Sequence, residues 1–208
     1  MMLEVLTNPG GFFEKKMKEE ADLKPSFMIL GIMALVSAIS AYIITSKIIG
    51  SLPSDAASFA KIGIAIGIIG AIIAVFIMWL VYSGIFYLIS SLLGGQGNFK
   101  RVLEFVAYGF LPSVLGSAIS LVLTSKAYSS FDFSVQDPTL LEKAILSDPY
   151  IMASTAIGIL LTLWSANIWV FAMMHSRNLT VKNALITVGV PMGLYVIYML
   201  YTLYKALS

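Results

Sequence analysis

Residues 59–93 read FAKIGIAIGIIGAIIAVFIMWLVYSGIFYLISSLL, and after Lys61 this stretch holds no charge, no proline and no asparagine. A helix of that length rises on the order of 50 Å, whereas about 20 apolar residues cross a bilayer. Two spans would need a hairpin inside it, and no residue there makes one. One long tilted helix that protrudes from the bilayer is the reading, with Gly84 as the single candidate break. A helix apolar on every side needs lipid or a large core as its surroundings.

Composition decides between the two. Hydrophobic residues are 59% of the 208 and charged residues 12%. Soluble domains are nearer 45–50% apolar and about 25% charged. So few charges cannot screen that much apolar surface from water, and lipid removes the conflict. The fold class is therefore all-α, a polytopic membrane protein of five transmembrane helices with short interfacial amphipathic helices. There is no cysteine and only one histidine, so no disulfide, thiolate nucleophile or ordinary zinc site is expected. The net charge of +2 gives no argument for nucleic acid.

The other spans follow on either side. Span one covers about 26–49, opens after Pro25, and reads as a retained span that also targets the chain. Gly94-Gly95-Gln96-Gly97-Asn98 is a loop, and span three covers about 99–124. Pro112 lies mid-span and should kink it, since proline removes a ladder donor and crowds the preceding turn. Asp137-Pro138 and Asp148-Pro149 both pair a cap with a first helical residue. They open a short surface helix and span four, about 149–175. Span five covers about 181–204, with Pro191 as a second kink. Ahead of all five, residues 1–25 form an interfacial amphipathic segment. Asn8-Pro9 starts its helix, Phe12, Phe13, Met17 and Ala21 face one side, and Lys15, Lys16 and Lys18 face the other.

Five spans put the termini on opposite sides. The side holding the N-terminal segment and the 94–101 and 176–182 loops carries eight Lys or Arg, against five on the other. The excess of Lys and Arg on the cytoplasmic side of membrane proteins places the N-terminus in the cytoplasm and the C-terminus opposite.

A few residues stand out as candidates for function. Glu104 is the one acidic residue inside a span, and a carboxylate there is costly unless paired or wet. Lys100, one turn earlier, is the expected partner. Glu104 reads either as a titrating group or as an interfacial side chain reaching toward headgroups. Asn167, near Trp164, needs a hydrogen-bond partner in hydrocarbon and is expected to face another helix. Glu104, Tyr108 and Asn167 are the candidate polar intramembrane site. Gly63, Gly67 and Ala71, and again Gly189 and Gly193, recur every four residues, which suits close helix packing within the chain or a homodimer seam. No HExxH, Walker or GxSxG motif is present, so no enzyme, cofactor or metal is expected.

The ordered motifs resemble those of the Ypt-interacting protein (YIP) domain family. They are Asn8-Pro9-Gly10-Gly11-Phe12-Phe13, Leu93-Gly94-Gly95-Gln96-Gly97-Asn98-Phe99 with Lys100-Arg101, Ala107-Tyr108-Gly109-Phe110-Leu111-Pro112, and Trp164 before a last span after His175. The resemblance implies a five-helix membrane domain with a cytoplasmic N-terminus and a role in vesicle formation and trafficking. Eukaryotic relatives have small GTPases as partners. This chain has only about 25 residues before span one and lacks the acidic Asp-Leu-Tyr-Gly-Pro type signature. It is therefore similar to the short prokaryotic members, and GTPase binding is not expected of it. The expected function is a non-enzymatic membrane-organising role, in contact with the bilayer and as a homo-oligomer. The alternative is a small channel or transporter with a polar path near Glu104 and Asn167.

Overall fold

The computed structural model describes residues 3–50, 54–131 and 138–207, and within them the chain is helical. Ser51 and Pro53, which the sequence reads as part of a polar turn after span one, and Asp137 of the expected cap lie outside these residues. In chain order the helices are α1 Glu4–Thr7, α2 Pro9–Lys16, α3 Lys24–Gly50, α4 Ser54–Leu92, α5 Phe99–Tyr108, α6 Leu111–Ser130, α7 Pro138–Leu146, α8 Pro149–Ser176 and α9 Val181–Leu207.

Four stretches are long and apolar enough to cross a membrane: Lys24–Lys47, Ile62–Leu92, Pro149–Ser176 and Val181–Lys205. The pair α5 and α6, bent by 41°, makes a fifth if counted as one broken span. The molecule is an all-α polytopic membrane protein. Residues 59–92 lie in one helix that passes Gly84 without a break, and α9 continues through Pro191.

The long helices form a ring. α3 packs on α4 and α6, α6 on α8, α8 on α9, and α9 closes more weakly against α4. α5 fills the centre of the ring at one end, touching α3, α4 and α8. The start of α3, the end of α4, the loop 93–98 and the α8–α9 turn all share that end, called here the near end. The core lies in this half: Ile29, Leu30, Phe86, Phe105, Ile168, Trp169, Met173 and Val188 are buried in one cluster. Toward the far end the same helices expose most of their apolar side chains, as lipid-facing helices do.

Span three differs from one helix with a mid-length kink. α5 stops at Tyr108, Gly109 and Phe110 form a turn, and Pro112 sits in the first turn of α6. Proline is tolerated there because the first-turn N–H groups have no intrahelical acceptor.

The N-terminal segment also differs from the expected surface helix. Asn8 caps α2 by accepting from the Gly11 N–H at 3.1 Å, but the helix ends at Lys16, and Met17 is exposed. Its apolar face meets the protein: Val5, Phe12 and Phe13 are buried in the main core. The Trp164 indole donates to the Leu6 carbonyl at 3.2 Å, and Phe171 lies against Gly10. So α1 and α2 are docked along α8.

Candidate functional site at the near end of the bundle

α5 is held from three sides through its own carbonyls. Ser26 Oγ of α3 donates to Glu104 O at 3.4 Å, Trp79 Nε1 of α4 to Leu103 O at 2.9 Å, and Trp169 Nε1 of α8 to Val106 O at 2.8 Å. Carbonyl oxygens have two lone pairs, so these bonds add to the helix ladder rather than replacing it. The approach of Trp169 is close enough that a Cβ on Gly109 would overlap its indole. Tyr82, Phe86 and Phe110 then pack around the same indole, at ring separations of 5.2, 5.5 and 5.2 Å.

Next to this strap lies an ionic knot. Glu104 is fully buried; its Oε2 accepts from Arg101 at 2.8 Å and its Oε1 is 3.7 Å from Lys16 Nζ. Its expected partner Lys100 is exposed and makes no such contact among the described residues. The i,i+3 position places Arg101 over the carboxylate, and the fold brings Lys16 to it from the N-terminal helix. Arg101 also donates to the Lys16 and Glu19 carbonyls, so one guanidinium ties α5 to the end of α2. Phe12 meets Tyr108 edge-on at 4.9 Å and Phe13 packs tilted on Phe105 at 4.6 Å. Burial works against the Lys16 ammonium, but its hydrogen bond to Glu19 and the nearby Tyr108 and Glu104 outweigh that and raise its pKa.

A second anchor reads in the sequence only as a loop charge. Arg177, only 2% exposed, donates to Ser90 and Ser91 hydroxyls at 3.0 and 2.8 Å and to the carbonyls of Gly95 and Gly97. It also sits 4.3 Å over the Tyr87 ring. The ends of α4 and α8 meet here, and a cation at helix C-termini is favoured by the unpaired carbonyls. The loop glycines answer to this geometry. Gly94 and Gly97 have positive φ of 82° and 106°, and a Cβ on Gly95 would stand 2.7 Å from Ser90 O. Asn98 then caps α5 by accepting from the Arg101 N–H at 2.9 Å.

The candidate polar triad is only partly assembled. Glu104 and Tyr108 lie one turn apart in the buried knot. Asn167 is exposed on α8, on the face whose Trp164 and Phe171, one turn to either side, meet α1 and α2. No hydrogen bond or ion pair links Asn167 to Glu104 among the described residues. Of the small residues, Gly67 faces α3, where an added Cβ would stand 3.6 Å from Thr45 Oγ1, and Ala71 lines a central cavity. At Gly63, Gly189 and Gly193 an added Cβ would meet open space, with no described atom within 4 Å.

A family model described as the Yip1 domain matches residues 3–203. The chain belongs to the Yip1 domain family. An uncharacterised protein of Methanocaldococcus jannaschii is 38% identical over 142 residues, spanning 67% of this chain and 96% of that protein. That archaeal likeness is consistent with a prokaryotic-type member of the Yip1 family. No solved structure matches. The segments that carry the resemblance coincide with the near-end architecture of this Yip1 domain. Asn8–Phe13 docks α2, Leu93–Phe99 wraps Arg177, Ala107–Pro112 forms the break beside Trp169, and Trp164 holds α1.

Proposed function

We propose that this Yip1-family protein is a non-enzymatic organiser of the bilayer that acts through its shape. Its N-terminus is cytoplasmic and its C-terminus lies opposite, on the charge bias of eight against five Lys and Arg. The observation that carries the reading is the docking of α1 and α2 on the outer side of α8. Trp164, which meets Leu6, is twelve residues from the end of α8 at Ser176, about 18 Å along the helix axis. Two extra helical segments beside the ring, α1 and α2, add to the near half, whereas the far half has the single short helix α7 against α8 and α9. A membrane protein broader in one leaflet favours curvature of that leaflet. The open surfaces at Gly63 and Gly189 support self-association, which multiplies the effect.

The test is reconstitution at increasing protein-to-lipid ratio, with crosslinking in the same vesicles. Narrowed or tubulated vesicles and concentration-dependent dimers are expected. Unchanged vesicle shape with monomers alone would sink the reading.

A further inference from the structure

Beneath the aromatic cluster around Trp169 the ring is hollow. A cavity of about 360 Å³ reaches from Trp169 and Tyr82 to Ala71, with walls from α3, α4, α6, α8 and α9. A second of about 280 Å³ shares Met33, Ser113, Thr162 and Tyr195 with it and runs on to Ser154. Along α8 the two extend from Trp169 to Ser154, which is about 22 Å of helix within the membrane-crossing segment. The space is long, narrow and at hydrocarbon depth.

We infer that this joined cavity holds one acyl chain of a membrane phospholipid, entering sideways between α4 and α9. Its lining has no charged residue, so it suits neither an ion nor a headgroup. Its hydroxyls are largely engaged with one another or with their own helices. Ser113 pairs with Ser165 at 3.4 Å, Ser120 with Ser154 at 2.7 Å, and Ser117 donates to Val114 O at 2.8 Å. What remains toward the space is mainly methyl, methylene and ring surface, which gains from dispersion contact with a chain and loses it when empty. The mouth is marked by side chains that line the cavity and also face outside the bundle: Met78 on α4 is 44% exposed and Tyr195 on α9 is 40% exposed. Ala74, exposed one turn from Met78 on α4 and also lining the cavity, is too small to close the gap where α9 packs weakly on α4. Outside that gap is lipid, so the occupant with direct access is a lipid tail. This inference stands apart from the curvature reading, and either can fail while the other holds.

Brominated lipid chains quench tryptophan only on contact, and the protein supplies its own reporter and control. Trp169 sits at the closed end of the cavity, 2% exposed, whereas Trp164 is 37% exposed on the outside of α8. Variants keeping one tryptophan each, with phenylalanine at the other two positions, are reconstituted in phosphatidylcholine brominated at mid-chain. Both tryptophans are expected to lose emission, and Ala74→Phe, which narrows the mouth, is expected to restore Trp169 alone. Quenching of Trp164 without Trp169 overturns the inference, as does quenching of Trp169 that Ala74→Phe leaves unchanged. Native mass spectrometry of the unaltered chain gives an independent reading that needs no tryptophan replacement. One retained phosphatidylcholine, lost in Ala74→Phe, is expected, and its absence from the unaltered chain overturns the inference.

Discussion

The indole of Trp169 fills the space that a side chain on Gly109 would need, while its Nε1–H holds the Val106 carbonyl at 2.8 Å. The break between α5 and α6 is thus built around a contact between two residues far apart in the chain. Gly109→Ala is expected to destabilise the bundle by about 1–3 kcal/mol or more, because a rigid ring held by neighbours cannot step aside. Trp169→Phe removes one hydrogen bond and part of the ring, with an expected loss of about 1–3 kcal/mol. Thermal unfolding in detergent checks both, and the double variant should cost less than the sum, since the smaller ring makes room for the methyl.

Glu104 is expected to be structural rather than a site of transport. Glu104→Gln leaves Arg101 and Lys16 without their buried counter-charge and should cost about 3–5 kcal/mol. Adding Lys16→Met should recover part of that loss, because it removes a cation left with only the half-exposed Glu19 as its anionic partner. If the second change deepens the loss instead, the pairing across α2 and α5 is not what holds them.

The docking of α2 is expected to survive alkaline conditions unusually far. Lys16 has its pKa raised above the ordinary lysine value, chiefly by its hydrogen bond to Glu19, with burial opposing. A group whose folded pKa is raised contributes fully below its unfolded pKa and loses that contribution as pH rises through the folded value. Hydrogen exchange of α2, corrected for its intrinsic pH dependence, should therefore hold steady up to about the ordinary lysine pKa and loosen only above it. In Lys16→Met this alkaline step should be absent.

Arg177 should not tolerate lysine. The guanidinium reaches two hydroxyls and two carbonyls in a planar fork and stacks on Tyr87, which an ammonium cannot reproduce. Arg177→Lys is expected to cost about 2–4 kcal/mol, from lost charge-assisted hydrogen bonds and exposed backbone acceptors. It should also raise proteolysis in the 93–98 loop, which limited digestion reads directly.

Much of the fold can be read along the chain, because lipid forces backbone hydrogen bonds to close within each span and leaves composition to mark them. Helix starts at Asn8-Pro9 and Asp148-Pro149 are legible for a similar reason: a cap acts on N–H groups two or three residues away. The site is less legible. Lys100 and Arg101 are both near enough in sequence to reach Glu104, and only the orientation of α5 selects Arg101. Lys16 comes from a helix 88 positions earlier. Arg177 reads as one more loop charge, although the glycine-rich loop holds a hint in its many carbonyls without side chains to cover them. Asn167 is expected inside because an amide resists hydrocarbon, but α1 and α2 cover its neighbours and leave it at their edge.

The central claim is that docked N-terminal helices widen one half of the bundle and bend the membrane. Electron cryomicroscopy of vesicles tests it most directly, comparing the intact chain with Phe12→Ser/Phe13→Ser at equal reconstituted density. The intact chain should shift the vesicles to smaller diameters, and the variant, folded in its spans but undocked at α2, should leave them as in protein-free controls. Equal vesicle diameters with the intact chain, the variant and no protein would contradict the account.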